Sequence, residues 1–122
     1  MNKKESVQQL IIEQGILPLY YHESSDISIA ILKALYQAGI LAVEYTNRGE
    51  NALHNFTLLL QIAQDEMPGM QLGIGTIKSI ATAQAFIAAG ANFIICPVID
   101  PAVGALVQET DLLWIPGCMT ST

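Results

Sequence analysis

Glu44 and Arg48 are four residues apart at the end of a short apolar segment, a spacing that brings an acid and a base close together. In an extended segment, Val43 and Tyr45 point to one face and Glu44 points to the other. Burial raises the pKa of a carboxyl group and a nearby cation lowers it, so Glu44 beside Arg48 is suited to give and take a proton. The alternative is an internal salt bridge that only fixes packing.

Arg48 follows the end of this segment, where its planar guanidinium group can bind a carboxylate through two parallel hydrogen bonds. The alternative is an ordinary loop arginine in contact with solvent. Further along the chain, Gly73, Gly75 and Thr76 form a turn that lets the backbone approach an anion and adds a hydroxyl group. Four residues of this kind also suit a plain tight turn before a helix.

Elements that would position these residues alternate along the chain. Short β-rich apolar runs indicate five strands, at residues 16–21, 40–46, 71–76, 92–97 and 112–116. Segments of helical period separate them, at residues 26–38, 51–66, 79–90 and from 100 onward, and a leading helix is predicted at about 4–14. This order predicts an α/β fold in which five βα units begin at residue 16 and all strands run parallel.

Parallel βα units form either a (β/α)₈ barrel or a doubly wound sheet, and both place functional residues at the carboxyl ends of strands. The four junctions of interest are at residues 44–49, 73–76, 96–97 and 115–120. Since no GxGxxG motif follows the first strand, we favour the barrel over a dinucleotide-binding sheet. The acid, the arginine and the glycine–threonine turn should then meet at one rim.

Composition restricts the possible partners. The 122 residues suit one domain, and 52% hydrophobic against 13% charged residues excludes a disordered segment. A net charge of −6 argues against nucleic acid and anionic membranes as partners, and no run is apolar enough to span a membrane. Without a signal peptide pattern, we expect a cytoplasmic protein. We expect Cys96 and Cys118 to be reduced and buried, and His22 and His54 to bind no metal.

Four motifs in register resemble one family: LAVEYTNRG, LGIGT, FIICP and LLWIPGCMT are similar to the 2-keto-3-deoxy-6-phosphogluconate (KDPG) and 4-hydroxy-2-oxoglutarate aldolases, from about residue 8 to 122. The resemblance implies a (β/α)₈ barrel, usually trimeric, that releases pyruvate from such keto acids through a Schiff base without a metal or cofactor. It also implies that Glu44 is the general acid/base, that Arg48 and Thr76 bind the pyruvate carboxylate, and that Gly75 and Pro97 shape the pocket.

The resemblance also implies a Schiff-base lysine near the end of a sixth strand, and this chain has none at a matching position. Its four lysines are Lys3, Lys4, Lys33 and Lys78. Lys78 alone is near the expected pocket, but a lysine at a helix start is usually solvated and charged. Residues 1–122 should therefore be one incomplete barrel domain, inactive alone, that associates as a homo-oligomer. A non-catalytic oligomeric partial-barrel module and another phosphate-handling βα barrel enzyme stay open as alternatives.

Overall fold

Helices and strands alternate through residues 1–118, the part of the chain that the structure, a computed structural model, describes. The elements in chain order are α1 Lys3–Gln14, β1 Leu19–Tyr20, α2 Ser25–Gln37, β2 Ala42–Thr46, α3 Ala52–Glu66, β3 Gln71–Gly75, α4 Ile80–Ala89, β4 Phe93–Cys96, α5 Pro101–Glu109 and β5 Leu113–Pro116. The α/β class with five strands and crossover helices is thus confirmed.

The five strands form one parallel sheet in the order β1-β2-β3-β4-β5. A doubly wound sheet reverses its strand order partway, because its helices cover both faces. Strictly sequential order with right-handed crossovers instead places the crossover helices on one face, as in a (β/α)₈ barrel. The order of the strands therefore decides between the two predicted architectures in favour of the barrel family.

The two faces of the sheet differ in what covers them. On the outer face, large buried side chains such as Val43, Tyr45, Leu72 and Ile74 pack with α2 to α5 into the main hydrophobic core. The opposite, inner face carries one row of residues in register, from Leu19 through Glu44, Gly73 and Phe93 to Leu113. Because side chains alternate along a strand, the other side chains of this row point to the same face as the Glu44 carboxylate.

Helix α1 packs on the inner face. Val7 contacts Phe93 and Leu113 in a second, smaller apolar cluster. At the end of the helix, the Gln14 side chain accepts hydrogen bonds from the backbone N–H groups of Leu41 (2.8 Å) and Ala42 (3.0 Å) and donates to the Ala42 carbonyl (2.9 Å). These bonds tie the helix to the amino end of β2, away from the rim that carries Arg48.

Four helices begin at a residue whose side chain accepts a hydrogen bond from the first turn. These N-caps are Asn2, Ser24, Ser79 and Asp100, for α1, α2, α4 and α5. Such a bond satisfies a backbone N–H that has no partner within the helix. Helix α3 differs, since its N-cap residue Asn51 makes no capping bond.

The first strand is shorter than predicted, with two residues in place of residues 16–21. Pro18 has no N–H to give to a sheet ladder, and only its carbonyl takes part, accepting from the N–H of Glu44 at 2.9 Å.

The prediction that both cysteines are buried is half wrong: Cys96 is buried, but Cys118 is exposed beyond the end of β5. Within residues 1–118, no helix combines the length and apolar character that crossing a membrane requires.

Candidate active site

Glu44 lies in the middle of β2 and points to the inner face of the sheet, where only 7% of its surface is exposed. Its carboxylate leans over the neighbouring strand β3, and a Cβ built on Gly75 would overlap Glu44 Oε2. The overlap arises because Glu44 and Thr46 are in register with Gly73 and Gly75 across the strand pair. Glycine at position 75 therefore provides the space that the acid occupies.

Burial raises the pKa of the Glu44 carboxyl group, and the charge of Arg48 acts in the opposite direction. Among residues 1–118, the ion pair between Lys33 Nζ and Glu66, at 3.8 Å, is the only one, so Arg48 does not form a salt bridge with Glu44. The interpretation of Glu44 as an internal salt bridge therefore finds no partner in this part of the chain. A carboxyl group with a raised pKa and a cation nearby is suited to proton transfer.

Arg48 lies in the loop that follows β2, and its side chain is exposed at the carboxyl edge of the sheet. Two backbone hydrogen bonds order the start of this loop: Asn47 N–H donates to the Gly75 carbonyl and Arg48 N–H donates to the Thr46 carbonyl, each at 3.0 Å. The first bond joins the Arg48 loop directly to the turn after β3. Arg48 and the glycine–threonine turn therefore lie at the same rim, as predicted from the strand ends.

Thr76 has a backbone conformation that side chains rarely adopt. Its φ is 60°, in the left-handed region that favours glycine. The next residue, Ile77, donates a backbone hydrogen bond to the Ile95 carbonyl at 3.3 Å and is buried. Thr76 is thus half-buried and strained between β3 and a fixed neighbour, a condition that is common at ligand-binding positions.

Pro97 follows β4 at the same edge and is exposed. Its carbonyl faces Gly117, where a Cβ would overlap it, and Gly117 N–H donates to the Cys96 carbonyl at 2.7 Å. Glycine at this position thus lets the chain after β5 pass close to β4. Met119 and Thr120, the last residues of the fourth predicted junction, lie outside the described residues.

The structure gives a different reason for the two glycines of β3 from the one that the sequence suggested. Neither has a left-handed φ, and each faces a side chain from a neighbouring strand: Gly73 the ring of Phe93, and Gly75 the carboxylate of Glu44. Ser79 caps the following helix itself, by accepting from the N–H of Thr82 at 3.1 Å. The glycine spacing therefore makes room for two side chains, and nothing in it requires an anion at the helix start.

The lysines occupy both edges of the sheet. Lys3 lies beside Gln71 and Asn92 at the amino ends of β3 and β4, and Lys33 pairs with Glu66 just before β3. Only Lys78 follows a strand at the carboxyl edge, where it is exposed. No group of three or more potential metal ligands is found in residues 1–118.

Arg48, Thr76 and Pro97 thus follow the carboxyl ends of three neighbouring parallel strands, and the Glu44 carboxylate lies against Gly75 at the end of the middle one. The family model of the KDPG and KHG aldolases matches residues 7–122, almost the whole chain. The chain belongs to this aldolase family.

Relatives within the aldolase family agree with this match. The 2-dehydro-3-deoxy-phosphogluconate aldolase of Dickeya dadantii is 30% identical over 98% of this chain and 54% of its own length. The KDPG aldolase of Legionella pneumophila, solved with pyruvate captured as a covalent carbinolamine intermediate, is 25% identical, with a TM-score of 0.77 over 85% of this chain and 48% of that one. The chain spans about half the length of these relatives.

The fold of the family is shared more widely than its sequence. The 2-keto-3-deoxy-6-phosphogluconate aldolase of Zymomonas mobilis superposes with a TM-score of 0.83 over 96% of this chain and 54% of that one, at only 20% identity. These neighbours are aldolases with a TIM-barrel-like fold, in agreement with the sequential strand order.

Sequence reasoning missed the residues that hold the rim from the outer side. Tyr45 and Asn55 are fully buried, and both donate hydrogen bonds to the carbonyl of His22 in the loop after β1, at 2.7 and 3.0 Å. Tyr21, in the same loop, lies against Gly49. Polar residues within an apolar strand and a following helix were the available signal, but the sequence does not indicate which backbone groups they meet.

Proposed function

We propose that this chain supplies the acid/base and carboxylate-binding part of a class I aldolase site that releases pyruvate from KDPG or 4-hydroxy-2-oxoglutarate through a Schiff base. Membership of the aldolase family supports the reaction. The observation that carries the assignment of residues is the packing of the Glu44 carboxylate on Gly75, next to Thr76 and at the rim that carries Arg48. Under this proposal, residues 1–122 form a single domain that is an incomplete (β/α)₈ barrel.

Each residue has a role that its surroundings support. Glu44 transfers protons to and from the Schiff-base intermediates, because burial brings its pKa closer to neutrality. Arg48 binds the pyruvate carboxylate with its exposed guanidinium group, and the Thr76 hydroxyl donates to the same carboxylate. Gly75 keeps the space for the acid, and Pro97 bounds the pocket at β4.

The amine nucleophile is expected to come from outside residues 1–122. Lys3 and Lys4, in the first turn of α1, and Lys33 are away from the carboxyl edge of the sheet, and exposed Lys78 lacks the apolar surroundings that activate a lysine. The 122-residue chain alone should therefore form no pyruvate from KDPG. A coupled lactate dehydrogenase assay measures pyruvate formation. A burst of pyruvate would show that the chain is itself a competent aldolase. The Lys78→Gln variant would then show whether Lys78 supplies the amine.

Pyruvate binding tests the residue assignment without requiring catalysis. Titration of the ¹⁵N-labelled chain with pyruvate, followed by NMR, should give saturable shifts at Gly75 and Thr76. Arg48→Gln should weaken binding roughly 10- to 100-fold, because a charge-assisted hydrogen-bonded pair contributes about 1.5–3 kcal/mol. Lys33→Gln removes the same charge at the opposite edge and should leave the affinity unchanged. Absence of saturable shifts in the unaltered chain would refute the assignment.

A second candidate is the non-catalytic oligomeric module, and one observation favours it for the chain on its own. Ile16 and Leu19 expose 63% and 55% of their surface at the β1 end of the inner face. Within residues 1–118, β1 pairs only with β2 and β5 only with β4. Exposed apolar side chains beside an open strand edge favour association with another polypeptide.

A further inference from the structure

Gly49, next to Arg48, is a glycine for a steric reason that involves Tyr21. Its φ lies outside the left-handed range, so the backbone conformation alone does not require glycine. A Cβ at this position would overlap the Tyr21 hydroxyl oxygen and lie 2.8 Å from the ring carbon Cζ. The Tyr21 side chain therefore lies directly against the backbone of the loop that carries Arg48.

The loop that carries Tyr21 also contacts the start of α3, the helix that lacks its own cap. Asn51 occupies the N-cap position, but its side-chain amide donates to the Glu23 carbonyl at 3.3 Å and caps nothing. Burial raises the pKa of Tyr21, as do the neighbouring Tyr45, Glu23 and Glu50, and the backbone N–H of Asn51 acts in the opposite direction. The carbonyl of Glu23, in the loop that carries Tyr21, is thus bonded to the residue at the start of α3.

Tyr21 is itself held by a buried polar cluster on the outer face. Its ring packs on Tyr45, with centroids 5.4 Å apart and planes tilted by 49°. The carbonyl of the next residue, His22, accepts three hydrogen bonds, from Tyr45 Oη (2.7 Å), Asn55 Nδ2 (3.0 Å) and Ser28 Oγ (3.1 Å). Because all three donors are buried, they hold the loop after β1 in place beside the Arg48 loop.

We propose that Tyr21 is a positioning residue that holds the Arg48 loop, through its contact with Gly49, in the conformation that binds a keto-acid carboxylate. The inference rests on the proposed role of Arg48. A guanidinium group makes two parallel hydrogen bonds to a carboxylate only when the backbone that carries it is held in place. A shift of the Arg48 loop by a fraction of an ångström should therefore lower the affinity for the carboxylate. Tyr21 acts without touching the ligand.

The test compares pyruvate affinities, by the same NMR titration, in two backgrounds. Tyr21→Phe, which keeps the ring and removes the hydroxyl that contacts Gly49, should weaken binding about 3- to 10-fold in the unaltered chain. In the Arg48→Gln background it should change the affinity less than twofold. Tyr36→Phe removes a hydroxyl that donates to the Pro68 carbonyl at 3.0 Å, away from the Arg48 loop, and should have no effect in either background.

Each outcome decides the question. If Tyr21→Phe has no effect, or the same effect in both backgrounds, Tyr21 does not act through Arg48 and the inference is wrong. If Arg48→Gln itself leaves pyruvate binding unchanged, the proposed function fails first and the inference with it. If Arg48→Gln weakens binding while Tyr21→Phe does not, only the inference fails.

Gly49→Ala provides an independent check by steric means. It should weaken pyruvate binding as Tyr21→Phe does, because the new methyl group displaces Tyr21. In a Tyr21→Ala background the same substitution should cost nothing, since the overlapping atoms are gone. A Gly49→Ala effect of equal size in both backgrounds would show that Tyr21 is not the reason for the glycine. Exchange of the Ala52 amide, which donates to the Gly49 carbonyl at 3.1 Å, should quicken in parallel with the loss of affinity.

Discussion

The carboxylate of Glu44 and the backbone of Gly75 are in direct contact, so a side chain at position 75 and the acid would need the same space. Gly75→Ala should lower the free energy of unfolding by about 1–3 kcal/mol, the usual cost of overpacking a buried site. Urea denaturation measures the change. The same substitution in a Glu44→Ala background should cost much less, because the overlapping carboxylate is absent. Equal costs in both backgrounds would contradict the contact.

Glu44 should make the stability of the chain depend on pH in an unusual direction. Because burial raises its folded-state pKa above the ordinary value of 4.5, the folded state binds the proton more tightly than the unfolded state does. The free energy of unfolding therefore falls as the pH rises through the folded-state pKa. Glu44→Gln should be more stable than the unaltered chain at pH 8, and this gain should vanish near pH 4.

The control for this prediction is Glu13→Gln. Glu13 is on the exposed side of α1, where it accepts a hydrogen bond from Gln9 at 3.0 Å, and its removal changes the net charge of −6 by the same amount. Denaturation curves at several pH values compare the two variants. If Glu13→Gln showed the same pH-dependent gain, the effect would belong to overall charge and not to the burial of Glu44.

Thr76→Gly should separate stability from ligand binding. The substitution relieves the left-handed backbone strain and should raise the free energy of unfolding by up to about 1 kcal/mol. It removes the hydroxyl and should weaken pyruvate binding. Thr57→Gly, at an exposed position inside α3, should instead lower the free energy of unfolding by about 0.5 kcal/mol. A clear loss of stability in Thr76→Gly would mean that the threonine side chain contributes more than its strain costs.

The isolated chain should associate in solution through the exposed apolar residues beside β1. Light scattering at micromolar concentration should give a mass above the 13.2 kDa of one chain. Replacing Ile16 and Leu19 together by lysine should reduce that mass, because charged side chains disfavour burial of the inner face and its open edge. Ile80→Lys, on α4, should leave the mass unchanged. A monomeric mass for the unaltered chain would contradict this prediction.

Local features of the fold could be predicted from the sequence because they depend on neighbours along the chain. Alternation around Glu44 indicated that it points away from Val43 and Tyr45, and the strand ends indicated that Arg48 and Thr76 share a rim. Hydrophobic period alone does not record which strands are adjacent, so the prediction of a barrel depended on the missing GxGxxG motif and on the family resemblance, and the sequential strand order agrees with it. Burial of Cys118 is the expectation for an unpaired cysteine, but the residue follows the end of β5 and is exposed.

Contacts between loops were beyond prediction for the same reason. The sequence Asn47-Arg48-Gly49 gives no sign that a tyrosine from the preceding βα loop lies on the glycine. The spacing of the glycines in β3 suggested a turn where the backbone approaches a ligand, whereas in the structure these glycines make room for the side chains of Phe93 and Glu44. In each case the deciding atom belongs to a residue more than 15 positions away in the chain.

Glu44 and Tyr45 are consecutive residues on opposite faces of β2, one over Gly75 and the other in the buried polar cluster under the helices. A single peptide unit therefore connects the Glu44 carboxylate to the packing of the outer layer. We expect substitutions among the helix residues of that layer to move this peptide unit and thereby shift the pKa of Glu44. The protonation of Glu44 should thus depend on residues outside the pocket as well as on those that line it.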